Sequence, residues 1–282
     1  MKHRLSCAVL LLFAIAAFPA LAAEATFTRS LAVNGHVELG VSTGSGNIHI
    51  TRGSDSEVHI FGRVKSNFGS ENDDRVRELA AHPPIEQTGN IIRIGSHHEN
   101  LHNISIDYDI QAPANVFLAA DSGSGNVTVE AVGDNAKLST GSGYIHATGL
   151  EGGFNVETGS GNIYAEQTGQ GNVRAQSGSG NIELRNLHGG LRAGTGSGDI
   201  KAAGTPAMDW KLETGSGSIE FWSGNAPFTM DASTGSGSIH TDVEVAAQVV
   251  PGSFERHHIT GKVHGGGPKV RMETGSGNIK IH

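Results

Sequence analysis

The chain has 282 residues, of which 41 are glycine and 5% are aromatic, with Lys+Arg 20 against Asp+Glu 28 for a formal charge of −8. An acidic, aromatic-poor balance argues against nucleic acid as a partner, because nucleic acid asks for a basic face. The single cysteine, Cys7, leaves no pair for a structural disulfide and no cysteine-built metal site.

Met1 to Ala22 reads as a signal peptide. Lys2 and Arg4 precede an apolar run from Leu5 to Phe18, and Ala20-Leu21-Ala22 is a small-x-small cleavage site. The run is too short to span a membrane, and no later stretch serves as one. Cleavage removes Cys7, leaves no lipoprotein anchor, and shifts the balance to 18 basic side chains against 28 acidic. The expectation is an exported protein, in the periplasm or at the cell surface.

Residues 23–115 form an irregular first part. Leu39 and Val41 lead into Thr43-Gly44-Ser45-Gly46-Asn47, Ile48 and Ile50 follow it, and Val58 and Ile60 continue as another strand. A short helix is expected over about 70–81. Ser70 with Asp73 three places on marks its start, Val76, Leu79 and Ala80 share one face, and Pro83-Pro84 stops it. Ile85 to Ile94 reads as a hairpin around Thr88-Gly89-Asn90. His98-Glu99-Asn100-Leu101-His102 matches H-E-x-x-H, a zinc motif that works when a helix puts both histidines on one face. Here it falls in a short loop between strand-like segments, with no third ligand evident, so it reads as a polar loop. A strand from Ile104 to Ile110 then leads through Pro113 into the second part.

Residues 116–282 are expected to be regular repeats. The phrase Thr158-Gly159-Ser160-Gly161-Asn162-Ile163 recurs with little change from Thr43, Ser122, Thr140, Ser177, Thr195, Thr214, Thr234 and Thr274. Between Ser122 and Thr234 the starts lie 18, 18, 19, 18, 19 and 20 residues apart, and Thr274 follows after 40, read as two periods. A fixed period of this size signals a solenoid. Apolar residues alternate on both sides of each phrase, as in Phe154/Val156 before and Ile163/Ala165 after. That is the pattern of two short strands, each with one buried face. The fold class is therefore all-β: a parallel β-solenoid (β-helix) with about 19 residues and two short strands per coil, two sheets facing across a thin core. Glycine in the second turn, Leu150-Glu151-Gly152-Gly153 or Leu187-His188-Gly189-Gly190, is expected to supply positive φ. Asn47, Asn126, Asn162, Asn181 and Asn278 should form one column and the threonines another, satisfying turn groups that lack sheet partners.

Counting 20 on from Ile239 places Glu255-Arg256-His257-His258 in the phrase's slot, with Phe254 for the threonine, so one coil departs from the rest. Ile279-Lys280-Ile281-His282 is read as an uncovered last strand, a place for self-association through the C-terminal coil.

Two candidate chemistries remain. His257, His258 and His264 form a histidine cluster read as solvated turn residues. Three places before each phrase stand Lys137, Asn155, Arg174, Arg192, Lys211, Asp231 and Arg271, which stacking would align. Lys137, Arg174, Arg192, Lys211 and Arg271 are the candidate polymer-binding stripe, suited to an acidic envelope polysaccharide; Glu157, Glu213 and Glu273 run beside it. A polysaccharide-acting enzyme would need a close carboxylate pair, whereas Glu183 and Glu220 are scattered. No catalytic residue, metal or cofactor is assigned.

The Gly-Ser-Gly-Asn-Ile repeats, the signal peptide and the Asp109-Ile110-Gln111-Ala112-Pro113 lead-in resemble a bacterial family of β-strand-repeat proteins. It is a domain of unknown function labelled "putative adhesin" and related to head-GIN-type domains. The resemblance spans essentially the whole mature chain. It implies a right-handed β-solenoid exported to the envelope and no catalytic residues. The expected role is a non-enzymatic interaction scaffold of the envelope or cell surface, holding an envelope polysaccharide or protein partner, with an adhesin for glycan or host protein as the alternative.

Overall fold

The computed structural model describes residues 24–66, 73–95, 103–247 and 257–282. The signal peptide, Ser70, the His98–His102 motif and Phe254 to Arg256 lie outside them. The first part holds β1 (Glu24–Ala32), β2 (Val37–Thr43), β3 (Ile48–Arg52), β4 (Glu57–Ser66), α1 (Asp73–Ala81), β5 (Ile85–Thr88), β6 (Ile91–Ile94) and β7 (Ile104–Ala112). The repeats begin with β8 (Val116–Ser122), β9 (Val127–Glu130), β10 (Asn135–Thr140), β11 (Ile145–Leu150), β12 (Phe154–Thr158), β13 (Ile163–Gln167) and β14 (Val173–Ser177). They go on as β15 (Ile182–Thr195), β16 (Ile200–Ser216), β17 (Ile219–Trp222), β18 (Phe228–Ser236) and β19 (Ile239–Thr241). The chain closes with β20 (Val245–Ala247), β21 (His258–Val263), β22 (Lys269–Ser276) and β23 (Ile279–Ile281).

The architecture is all-β and solenoid-like, with one short helix among the described residues. Strands before the phrase pair in parallel with one another, and so do strands after it. Phe154 lies beside Ala136 on one side and Val173 on the other, while Ile163 lies between Ile145 and Ile182. Inward residues such as Leu118, Leu138, Val156, Ile182 and Ile200 are fully buried, each contributing about 1.5–3 kcal/mol. The strands form one continuous 23-stranded sheet of mixed direction rather than two separate sheets. The cause is that β15 and β16 run unbroken through the second turn, pairing on both sides of it.

The phrase itself is held by two ladders. The threonine or serine hydroxyl donates to a carbonyl of the neighbouring level, a glycine's at every phrase but Thr43, which uses Ile106, and from Thr43 to Ser177 it also accepts from the amide three residues on. Thr158 takes the Gly161 amide at 3.1 Å and gives to the Gly143 carbonyl at 3.0 Å, and Ser177 does the same with Gly180 and Gly161. Beside it, each side-chain amide oxygen accepts the backbone N–H of its counterpart: Asn126 to Asn47, Asn181 to Asn162, and Asp199 to Asn181 at 2.8 Å. The expected columns therefore satisfy the turn groups, each bond netting about 1 kcal/mol. Glycine in the second turn has two origins. Gly189 sits at φ +145, as expected, but Gly152 and Gly153 do not adopt positive φ. A Cβ on Gly152 would overlap the Asp134 carbonyl oxygen of the level below, so close approach, not dihedral, demands it there.

The stack order departs from chain order at both ends. Thr43 lies directly beside Ser122, and levels then follow in sequence to Thr214. Next comes Thr274, and Thr234 lies beyond it. The last strand, β23, is thus hydrogen-bonded to β17 and to β19, so the uncovered edge expected at Ile279–Ile281 is absent. Thr234 and Thr274, 40 residues apart, are adjacent levels with no coil between them. His258–Val263 instead turns back antiparallel along β18, and β20 pairs antiparallel with β21. The phrase reads the same wherever it stands, so spacing alone could not reveal the insertion.

At the other end β6 and β7 form a further parallel level beside β2 and β3. The hairpin at Thr88-Gly89-Asn90 adds β5 to β6, and β4 and β1 continue antiparallel from β7. Helix α1 buries Val76 and Leu79 against β1 and β4. Arg29 of β1 donates to the Ala81 carbonyl at its C-terminus, 3.2 Å away, where the carbonyls of a helix lack partners. The expected face is present, the helix lies at the end of the stack, and its first described residue is Asp73.

Candidate functional site

The stripe residues are brought into one column. Across the sheet Lys137 lies beside Asn155, Asn155 beside Arg174, Arg174 beside Arg192, Arg192 beside Lys211, and Lys211 beside Arg271. Asp231 ends the run. Adjacent strands are about 4.8 Å apart, so like charges at that spacing repel unless acids intervene. Three of the five cations are partnered. Arg174 reaches Glu157 at 3.8 Å and Lys211 reaches Glu213 at 2.6 Å, while Arg271 pairs with Glu273. Lys211 holds the Glu213 carboxyl below its ordinary range, and Glu273 raises the Arg271 guanidinium. Among the described residues Lys137 and Arg192 have no carboxylate partner.

A trough runs beside this column. Its floor is the neighbouring outward column, in which Gly153 and Gly190 alternate with Asn135, Asn172 and Asp209, so side chains are missing at two levels. Asn172 fixes the floor by accepting the Gly190 amide at 3.1 Å. The result is an open groove of about 1270 Å³ between Lys137, Arg174 and Arg192 on one wall and Gly171, Ala207 and Met208 on the other. Phe117 and Met208 stand near its two ends, 46% and 49% exposed. Five strand spacings separate their levels, about 24 Å. The available signal in the sequence is the alternation of glycine with Asn or Asp at the position just before successive apolar pairs.

The other face differs. Tyr164, Glu183, Lys201, Glu220 and Lys280 form its central column, with signs alternating from Glu183 onward. Glu220 is shared by Lys201 at 3.8 Å and Lys280 at 3.7 Å, and Glu183 is bound by Arg185 at 2.6 Å. The two glutamates therefore stand two levels apart with Lys201 between them, not as a pair.

The three histidines are not a cluster. His258 opens β21 and bonds Asp231 at 3.0 Å, His264 follows its far end and approaches the Ala226 carbonyl at 3.3 Å, and the His257 carbonyl accepts the Thr234 amide. Burial pushes Asp231 up, but Lys269 at 2.8 Å and His258 outweigh it and leave its pKa lowered. This carboxylate thereby ties β18 to β21 and β22. Among the described residues no group of three or more His, Cys, Asp or Glu is arranged to hold a metal, and no helix is long and apolar enough to cross a membrane.

Among solved structures, the chain is similar to a "putative adhesin" from Bacteroides fragilis at 17% identity, covering 92% of this chain and 97% of that one, with a TM-score of 0.37. A second, from Parabacteroides distasonis, shares 11% identity over 92% and 97% at a TM-score of 0.33. A "putative lipid binding protein" of the same species shares 14% over 90% and 96% at 0.30. No curated protein matches the chain. The model of the family described as Toastrack DUF4097 matches residues 38–282, the stretch that carries every phrase and both ladders, and the chain belongs to that family, a bacterial domain of unknown function labelled "putative adhesin".

Proposed function

We propose that the protein is an exported, non-enzymatic β-solenoid, with two strands and about 19 residues per coil, that holds an anionic polymer along one face as an interaction scaffold of the envelope or cell surface. The observation that carries this reading is the placement of Lys137 and Arg192, both without a carboxylate partner, along one wall of the trough. A structural column needs its charges balanced, and three rungs are. Two uncompensated cations on a chain of net charge −8 are what an acidic polysaccharide would engage, with a salt-dependent affinity.

Replacing both by glutamine is expected to lower the salt at which the protein elutes from immobilised alginate or heparin. Glutamine at Lys201 and Lys280, on the opposite face, removes the same charge and should leave elution unchanged. Equal elution of wild type and the Lys137/Arg192 variant overturns the reading.

Phe117 and Met208 favour a second reading, in which the same trough serves as an adhesin contact for glycan or host protein. Exposed apolar anchors of that size suit a less charged partner. The two readings divide on location. Protease added to intact cells removes a surface adhesin while a periplasmic marker survives; a periplasmic scaffold is protected with the marker.

A further inference from the structure

On the face opposite the trough, a second outward column has one side chain missing. Ala203 pairs with Trp222, and Arg185 follows the Leu184–Ala202 pair at a register shift that resumes at Leu187–Gly204, so Arg185 stands at the bulge facing the Ala203 level. Ala203 is too short to fill its level, and a pocket of about 470 Å³ opens there, lined by Glu183, Arg185, Asn186, Lys201, Ala203 and Trp222. Arg185 and Trp222 are two strand spacings apart, about 9.6 Å, which leaves the thickness of one ring between them.

The indole is held ready for such a ring. One face of Trp222 stacks on His282, centroids 5.2 Å apart and planes 15° from parallel. His282 is itself fixed by Asp242 at 2.7 Å and by backbone bonds to Phe221 and Ser223. The opposite face of the indole borders the pocket, and the residue remains 38% exposed. Arg185 is drawn the other way, over the Tyr164 ring at 5.5 Å and onto Glu183. The two walls therefore stand apart.

We propose that this pocket is a binding site for a single pyranose ring, stacked on Trp222 and hydrogen-bonded at its edge by Glu183, Asn186 and Lys201. The rim selects the class. A sugar ring has an apolar face for the indole and hydroxyls around its edge for the charged groups. Arg185 occupies one oxygen of Glu183 and Glu220 engages Lys201 from one side, so both keep hydrogen-bonding capacity that ring hydroxyls can use and an aromatic edge cannot. The site is separate from the anionic trough and uses no residue of it.

Intrinsic fluorescence reads it directly, because the chain has two tryptophans and Trp210 is buried at 1% exposure. Methyl glycosides of glucose, galactose, mannose and N-acetylglucosamine are titrated to high millimolar concentration. At least one is expected to shift the emission saturably and to protect Trp222 from acrylamide. Ala203→Leu fills the slot from an outward position, and circular dichroism checks that the sheet is retained. It should weaken binding about tenfold or more, the loss of one stacking contact. No saturable change with any of the four, an unchanged affinity in Ala203→Leu, or saturation by indole or phenol but by no glycoside overturns the assignment.

Discussion

Removing residues 268–282 is expected to dismantle the C-terminal end of the stack rather than trim it. In a repeat array whose coils follow chain order, loss of the last coil breaks one interface. Here β22 and β23 lie between two levels, so two interfaces go at once and β18 to β21 lose their sheet hydrogen bonds to the rest. Val270, Met272, Ile279 and Ile281 are fully buried. At about 1.5–3 kcal/mol each they represent roughly 6–12 kcal/mol, the size of a domain's net stability of about 5–15 kcal/mol. Urea denaturation of the truncated chain should show an early, broadened transition, and limited proteolysis should cut within residues 217–247. A single transition at the full-length midpoint would contradict the inserted order.

The second large effect is expected at Gly161→Ala. A Cβ there overlaps the Gly143 carbonyl, and Gly180 stands in the same relation to the Gly161 carbonyl. The opposing atoms are turn backbone, and the Gly143 carbonyl already accepts the Thr158 hydroxyl, so no side chain can move aside. The levels must part locally, loosening the Thr158 hydroxyl bond to the Gly143 carbonyl that crosses the same gap. A loss of about 3 kcal/mol or more follows from overpacking and broken backbone bonding together. Gly44 occupies the first glycine of an earlier phrase, with nothing within 4 Å of its Cβ position, and Gly44→Ala should stay within about 0.5 kcal/mol of wild type. Denaturant midpoints of the two variants give the comparison. Similar losses at both would mean that general backbone preference, not stacking distance, selects the glycines.

The sequence made the level legible and left the order of levels hidden. The period, the alternation of Phe154/Val156 and Ile163/Ala165, and the threonine and asparagine columns are local patterns repeated many times, and each repeat is stamped by the same neighbours. Which level sits beside which is decided at the ends, where Thr274 returns 60 positions after Thr214 to lie beside it. A gap of 40 fits two periods arithmetically and fits an excursion and return equally well. The charged stripe was readable because a constant offset from the phrase fixes its column. The trough and the pocket were harder, since both are made by small residues: Gly153 and Gly190 on one face, Ala203 on the other. Absence of a side chain leaves no mark in a hydropathy pattern. It becomes visible only when residues 185, 203 and 222 are aligned by the period and the middle one is seen to be too short for its neighbours.

The two ends of the stack also give the molecule a defined reach. Nine phrases and the β6–β7 level make ten parallel levels among the described residues, about 45 Å at the strand spacing. Antiparallel strands stop that count at either end, because their hydrogen-bond spacing does not continue a parallel ladder. Such a body is a ruler with fixed stops. Gain or loss of one internal repeat changes its length by a single step of about 4.8 Å and leaves the pattern of each face as it was. How far the protein reaches can therefore change in evolution independently of what it holds.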